Sequence, residues 1–221
     1  MKATLRNIVG RTYKPLLEKY LSKTRIYNYG DITLEIPPEV FHPGFFFSTR
    51  LLLNYIKQLP LQGKNFLEPG CGSGLISIYA AKQGANVTAT DINPIAIEFL
   101  KKNSQLNDAE ITIIQSDLFQ KIPQQQFDII AINPPYYKKQ PETNKDYAWF
   151  CGENGEYFSV LFKELNNYIH AGSEVLMVLF EGCNIKMIGE LASENGFDLN
   201  CVHTKQNLLE KNFIYKIVQS F

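Results

Sequence analysis

The chain has 221 residues, 45% apolar and 20% charged, with 22 basic and 22 acidic side chains, a length and balance that suit one packed core with a short appendage and exclude two full domains. The longest aliphatic or aromatic run, 175–180, is far short of the roughly 20 residues of a bilayer span, and the first residues lack an apolar signal segment, so a cytoplasmic protein with no membrane partner is expected. Cys71, Cys151, Cys183 and Cys201 form no CxxC pair, which points away from a zinc site and from a disulfide framework.

The first 30 residues carry seven basic side chains against Glu18 alone, which leaves fifteen basic against twenty-one acidic in the rest. Such a basic arm suits either a polyanionic partner or docking onto an acidic body. Leu5, Ile8, Val9, Tyr13, Leu16, Leu17, Tyr20 and Leu21 recur at helical spacing, and Gly10 and Pro15 interrupt them, so two short helices are expected over 1–24. Residues 25–29 and 32–36 alternate around Gly30-Asp31 and predict a hairpin. Pro37, Pro38, Pro43 and Gly44 then break the chain before an apolar helix over 45–56. Residues 1–60 are thus expected to form an N-terminal unit of arm, hairpin and helix, and 61–221 the ligand-binding body.

In that body, β-rich runs at 65–68, 86–90, 110–115, 127–132 and 174–180 alternate with helical patterns. The rhythm predicts a doubly wound, Rossmann-like α/β sheet with its ligand at the carboxyl ends of the strands. Runs 198–204 and 213–219 are separated only by a short loop, so the last strand is expected to return antiparallel.

The first body strand ends in Glu68-Pro69-Gly70-Cys71-Gly72-Ser73-Gly74. Glycines here let backbone approach a ligand. A nicotinamide fingerprint, GxGxxG, requires glycine at 75, where the chain has Leu75, and a dehydrogenase is excluded on that ground. Asp91-Ile92 closes the second strand, ahead of Asn93 as helix cap and Pro94 as first helical residue. A carboxylate at Asp91 suits two ribose hydroxyls, and Asp117, in Ser116-Asp117-Leu118 after the third strand, suits an adenine amine with Leu118 packed beside it.

After the fourth strand comes Asn133-Pro134-Pro135-Tyr136. Two prolines fix the backbone, so the segment reads either as a rigid turn or as a device. As a device, the Asn133 side-chain oxygen and the Pro134 carbonyl accept both hydrogens of a planar NH2 group while Tyr136 stacks on its plane. Such a nitrogen is a poor nucleophile, and holding both hydrogens stabilises the positive charge that grows on it during attack. An electrophile with its own leaving group then suffices without a metal, and the sulfonium of S-adenosylmethionine is one.

Taken together, Leu67 to Gly74, Thr90 to Pro94, Ser116 to Leu118, Asn133 to Tyr136, and Trp149 through Gly155 resemble the class I S-adenosylmethionine-dependent methyltransferases of the small-domain, Asn-Pro-Pro-Tyr group, HemK-like glutamine methyltransferases above all. The resemblance runs from about Arg25 to Val218. It implies a seven-stranded sheet with an antiparallel last strand, and a cofactor shell of Thr49, Glu68, Gly70, Gly72, Gly74, Asp91, Ile92, Asp117, Leu118 and Asn133. It places the acceptor at Asn133, Pro134, Pro135 and Tyr136. The acceptor it implies is a release-factor glutamine. The segment that reads Pro-Arg-Pro-acid-Thr in bacterial members is Pro43-Gly44-Phe45-Phe46-Phe47-Ser48-Thr49 here, a Gly-Phe-rich form shared with relatives that methylate adenine N6 or guanine N2 in RNA. A nucleobase is therefore the alternative acceptor, and a non-catalytic nucleic-acid-binding module on the same fold is the rival of another class.

Overall fold

A computed structural model describes residues 19–207 and 210–220; the arm expected before residue 19 lies outside the described residues. Strands β1 (Arg25–Tyr29) and β2 (Ile32–Ile36) form the expected antiparallel hairpin, with Tyr29 opposite Ile32. Gly30 turns the chain at φ +59, the left-handed region that only glycine enters without steric cost.

The seven-stranded sheet comprises β3 (Asn65–Pro69), β4 (Asn86–Asp91), β5 (Ile111–Gln115), β6 (Ile129–Ile132), β7 (Glu174–Phe180), β8 (Phe197–Gln206) and β9 (Lys211–Gln219), in the order β5-β4-β3-β6-β7-β9-β8. Strands β3 to β7 are parallel, and β9 runs antiparallel between β7 and β8, as the sequence rhythm predicts. The order reverses between β3 and β6, the position at which a doubly wound sheet opens a crevice.

Helices α1 (Phe47–Ile56), α2 (Leu75–Lys82), α3 (Pro94–Leu106), α4 (Glu156–Leu165) and α5 (Ile185–Glu194) cover the sheet. Successive residues of the central strands serve opposite cores: Phe66 packs with Leu52, Ile76 and Leu100, whereas Leu67 packs with Phe127, Phe158 and Phe162. Strands buried on both faces have no polar side to alternate with, which is why β6 and β7 read as unbroken apolar runs. Several expected boundaries move by one or two residues. Phe127 precedes β6, its N–H donating to the Tyr168 carbonyl at 2.9 Å. The helix predicted from residue 45 starts at Phe47, because Phe46 is extended (φ −120°, ψ 130°).

The hairpin is held to the body by two side-chain amides one turn apart on α3. Asn103 Oδ1 accepts from Glu35 N at 2.8 Å, and its Nδ2 donates to the carbonyls of Glu35 at 3.1 Å and Ser73 at 3.0 Å. Asn107 does the same for Thr33, accepting from its N–H at 2.9 Å and donating to its carbonyl at 2.7 Å. Together they satisfy the outer edge of β2 as a neighbouring strand would. Asn103→Ala strands three backbone groups at once and is expected to destabilise the protein by about 2–4 kcal/mol, read as a lower urea midpoint at unchanged slope.

Candidate active site

The carboxyl ends of β3, β4, β5 and β6 open onto a cavity of about 350 Å³, a volume that suits a small-molecule ligand. Glu68, Gly70, Gly72, Asp91, Ile92, Asp117, Leu118, Thr49 and the Asn133 to Tyr136 segment all line it, so the structure gathers nearly every residue singled out in the sequence.

Gly74 is the exception. At φ +85 it caps α2, and a Cβ there would stand 2.1 Å from Leu100 Cδ1, so its smallness lets α2 pack against α3. Gly70 has the opposite reason. At φ +74 a Cβ would meet nothing within 4 Å and would project into space beside the loop rather than into packed side chains. The loop is pinned by Gly70 N and Cys71 N donating to the Thr90 carbonyl at 2.8 and 2.9 Å.

Asp91 braces this loop while facing the cavity. Its Oδ2 accepts from Gly72 N at 2.9 Å and its Oδ1 from Asn93 N at 2.9 Å, and each oxygen keeps a further lone pair. Asn93 caps α3 by accepting from Ile95 N at 3.0 Å, with Pro94 first in the helix, as its position predicts. Glu68, buried beneath the loop, accepts from both the N–H and the hydroxyl of Ser77 on α2. Burial pushes its carboxyl up to about 8, against the two Ser77 hydrogen bonds and with the Asp91 carboxylate adding to the rise. Burial likewise raises Asp91 and Asp117.

The cavity lining holds five carboxyl groups, those of Glu39, Glu68, Asp91, Asp117 and Glu156, and among the described residues no lysine, arginine or histidine. Such a lining calls for a ligand that is cationic and rich in hydroxyl and amine donors. S-adenosylmethionine fits: it carries a sulfonium, an ammonium, two ribose hydroxyls and an adenine amine.

Because the folded-state value of Glu68 lies above its ordinary 4.5, its contribution to stability is fully present below pH 4.5 and is lost as pH rises through 8. Linkage puts the loss near 5 kcal/mol over that window, with Asp91 acting in the same sense. Carboxylates lowered by their partners, such as Asp128 beside Lys64 and the Asn65 N–H, titrate below it. Denaturant unfolding of the ligand-free chain is therefore expected to show falling stability between pH 5 and 8, a slope that Glu68→Gln flattens.

Asn133 follows β6 directly. Its Nδ2 donates to Thr49 Oγ1 on α1 at 3.2 Å, and its Oδ1 accepts from the Tyr136 hydroxyl. The Asn133 amide thus lies between two hydroxyls, with Nδ2 turned to Thr49 and Oδ1 to Tyr136. Tyr136 is partly buried, and its phenol is pushed well above its ordinary value, chiefly by desolvation.

Two features of the lining escape a reading of the sequence. Tyr157 on α4 stands partly buried in the cavity wall, its phenol raised by desolvation with Asp91 and Asp117 adding to the shift; its only signal is its place just after the Gly152 to Gly155 stretch. The second is an aromatic wall that reaches this cavity through Phe41: the Phe41 and Phe46 rings stack at 4.3 Å and both meet Trp149, at 5.3 and 5.0 Å. His42 lies in the loop before α1 and is buried between Tyr27 and Phe45, with Nδ1 accepting from Gly44 N at 3.1 Å.

Among the described residues no His, Cys, Asp and Glu cluster has the makings of a metal site, and no helix is long and apolar enough to cross a membrane.

The family model of the methyltransferase small domain matches residues 31–156. A Methanocaldococcus jannaschii protein provisionally named a protein N5-glutamine methyltransferase is 37% identical over 150 residues, covering 65% of this chain and 74% of its own length. Among solved structures, the E. cuniculi Mtq2–Trm112 complex, described as responsible for methylation of the eRF1 translation termination factor, gives a TM-score of 0.63 at 20% identity, over 82% of this chain and 99% of that one. The T. thermophilus 16S rRNA N2 G1207 methyltransferase, solved with AdoMet and guanosine, also gives 0.63, at 17% identity over 90% of this chain and 50% of that one. These likenesses agree with the fold. The family match, running from the hairpin through the glycine loop and Asn133 to the start of α4 and spanning more than half of the sequence, makes this chain a member of the methyltransferase small domain family, methyltransferases whose methyl donor is S-adenosylmethionine.

Proposed function

We propose that the chain is an N-methyltransferase that acts on the side-chain amide of a glutamine in a protein, of the release-factor type. The observation that carries an NH2 acceptor is the placement of Asn133, whose Nδ2 donates to Thr49 while Oδ1 lies on the Tyr136 side as an acceptor; the choice of glutamine rests on the M. jannaschii relative. In the reaction Asn133 Oδ1 and the Pro134 carbonyl accept the two hydrogens of the acceptor NH2, which aims the nitrogen and stabilises the positive charge that grows on it. Pro135 holds this turn rigid, and Tyr136 packs on the amide. Asp91 takes the ribose hydroxyls, Asp117 with Leu118 the adenine, Gly70 and Gly72 allow the close approach of the loop, and Glu68, Thr49 and Ile92 complete the shell. When bound, S-adenosylmethionine supplies an electrophilic methyl group and a neutral thioether as leaving group.

The name of the M. jannaschii relative supports a glutamine acceptor. A nucleobase acceptor, adenine N6 or guanine N2, is favoured by the Gly-Phe-rich segment at 43–49 and by the excess of seven basic residues over one acidic in the first 30. The two separate cleanly. Labelled cofactor is incubated with the chain and, in turn, with release factors, ribosomal RNA and transfer RNA. Label in a release factor is the expected result, and label in RNA alone overturns the glutamine reading. An RNA substrate further requires affinity that falls steeply with salt, with a slope flattened by deletion of residues 1–24. A binding module without catalysis fails at the first step, because it transfers no label.

A further inference from the structure

Beyond the Tyr136 ring lies a second, smaller pocket of about 120 Å³. One side is the aromatic wall of Phe41, Phe46 and Trp149; the other is Tyr136 and Phe180, whose rings meet edge to face at 5.2 Å. Glu210 and Asn212 also line it, and among the described lining residues none is a lysine, arginine or histidine. Asn212 stands opposite Phe180 in the β7–β9 pairing and is 1% exposed. Its Nδ2 donates to Glu210 Oε1 at 3.1 Å, and its Oδ1 has no hydrogen-bond partner among the described residues.

A buried amide oxygen without a donor is rare in folded proteins and asks for an explanation. Here it shares a pocket with a carboxylate and six aromatic rings, Tyr137 included. An apolar occupant leaves Asn212 Oδ1 unmatched and Glu210 uncompensated. A phosphate meets Glu210 with like charge. A neutral base stacks on the rings but brings no charge for the carboxylate. A cationic N–H donor satisfies all three elements: aromatic faces attract it, the carboxylate pairs with it, and the amide oxygen accepts one of its hydrogens.

We infer that this pocket receives the side chain of a lysine or arginine that neighbours the methylated residue in a protein acceptor. The inference rests on the protein-acceptor reading above and adds to it a basic residue in the recognised segment. Because Tyr136 and Phe41 line both cavities, the basic side chain and the reacting amide lie on opposite sides of one aromatic partition, and the two are recognised together.

Trp149 is the only tryptophan of the chain, so intrinsic fluorescence reports on the pocket wall. The full chain is titrated with N-acetyl-arginine amide, N-acetyl-lysine amide and the neutral N-acetyl-norleucine amide. A saturable change is expected with the two cations, at half-saturating concentrations at least about tenfold below that of norleucine. Glu210→Gln is expected to weaken the cations by a similar factor, with S-adenosylmethionine affinity as the control for folding. Equal binding of norleucine, or cation binding untouched by Glu210→Gln, overturns the inference; the wild-type comparison decides alone if that variant does not fold. The label-transfer experiment separates the two readings. Label in protein without cation preference removes the pocket assignment only, whereas label in RNA removes the protein acceptor and with it this occupant.

Discussion

Asn133→Ala is expected to lower the turnover number on the order of 10²-fold or more while leaving S-adenosylmethionine affinity within a few-fold of the parent. The asymmetry follows from what the side chain touches. Its Nδ2 is spent on Thr49 and its Oδ1 faces the acceptor side, where Tyr136 now donates. The hydrogen bond that Oδ1 makes to the acceptor NH2 strengthens as positive charge develops on nitrogen, so its loss falls on the transition state more than on either bound partner. Thr49→Val leaves Oδ1 in place but frees the amide to turn, and is expected to cost less. The check is kcat from label transfer set against Kd from calorimetry. Equal losses in both would move Asn133 from the acceptor to the cofactor.

What the sequence discloses here depends on whether a feature is local. The strands are legible because each is a short apolar run bounded by its own turn residues, and the loop residues at their ends, Glu68 to Gly74, Asp91 to Pro94 and Asn133 to Tyr136, follow from neighbouring positions in the chain. Gly74 shows the limit of that logic. Its spacing groups it with Gly70 and Gly72, yet its neighbour in space is Leu100, and nothing in the glycine spacing marks the difference. Asn103 and Asn107 read as ordinary polar positions of a helix, although they replace a strand for the hairpin some 70 residues earlier, at sequence separations of 68 and 74. The aromatic wall is equally non-local. Phe45 to Phe47 suggest the start of a helix, and only the extended backbone of Phe46 turns its ring to Trp149.

Asp91 is the carboxylate that both faces the cavity and braces the glycine loop. Asp91→Ala is expected to weaken S-adenosylmethionine binding by roughly 1.5–3 kcal/mol, about 10- to 150-fold in Kd, through loss of a charged acceptor. Two effects contribute. The carboxylate no longer meets the ribose hydroxyls, and Gly72 N and Asn93 N lose the acceptors that set the loop around the ligand. Asp91→Asn separates them, since its single carbonyl oxygen keeps one amide in place while the charge is gone; an affinity close to the parent would assign the loss in the alanine variant to the loop. The substitution also reaches Glu68, whose carboxyl the Asp91 charge helps to raise. Without that charge Glu68 ionises at lower pH, so the window over which the ligand-free protein loses stability is expected to shift downward in Asp91→Ala. A cofactor affinity and a stability profile both unchanged by Asp91→Ala would remove this residue from the site altogether, because no group that braces the loop, faces the cavity and sits beside Glu68 is replaced by a methyl group without consequence for either.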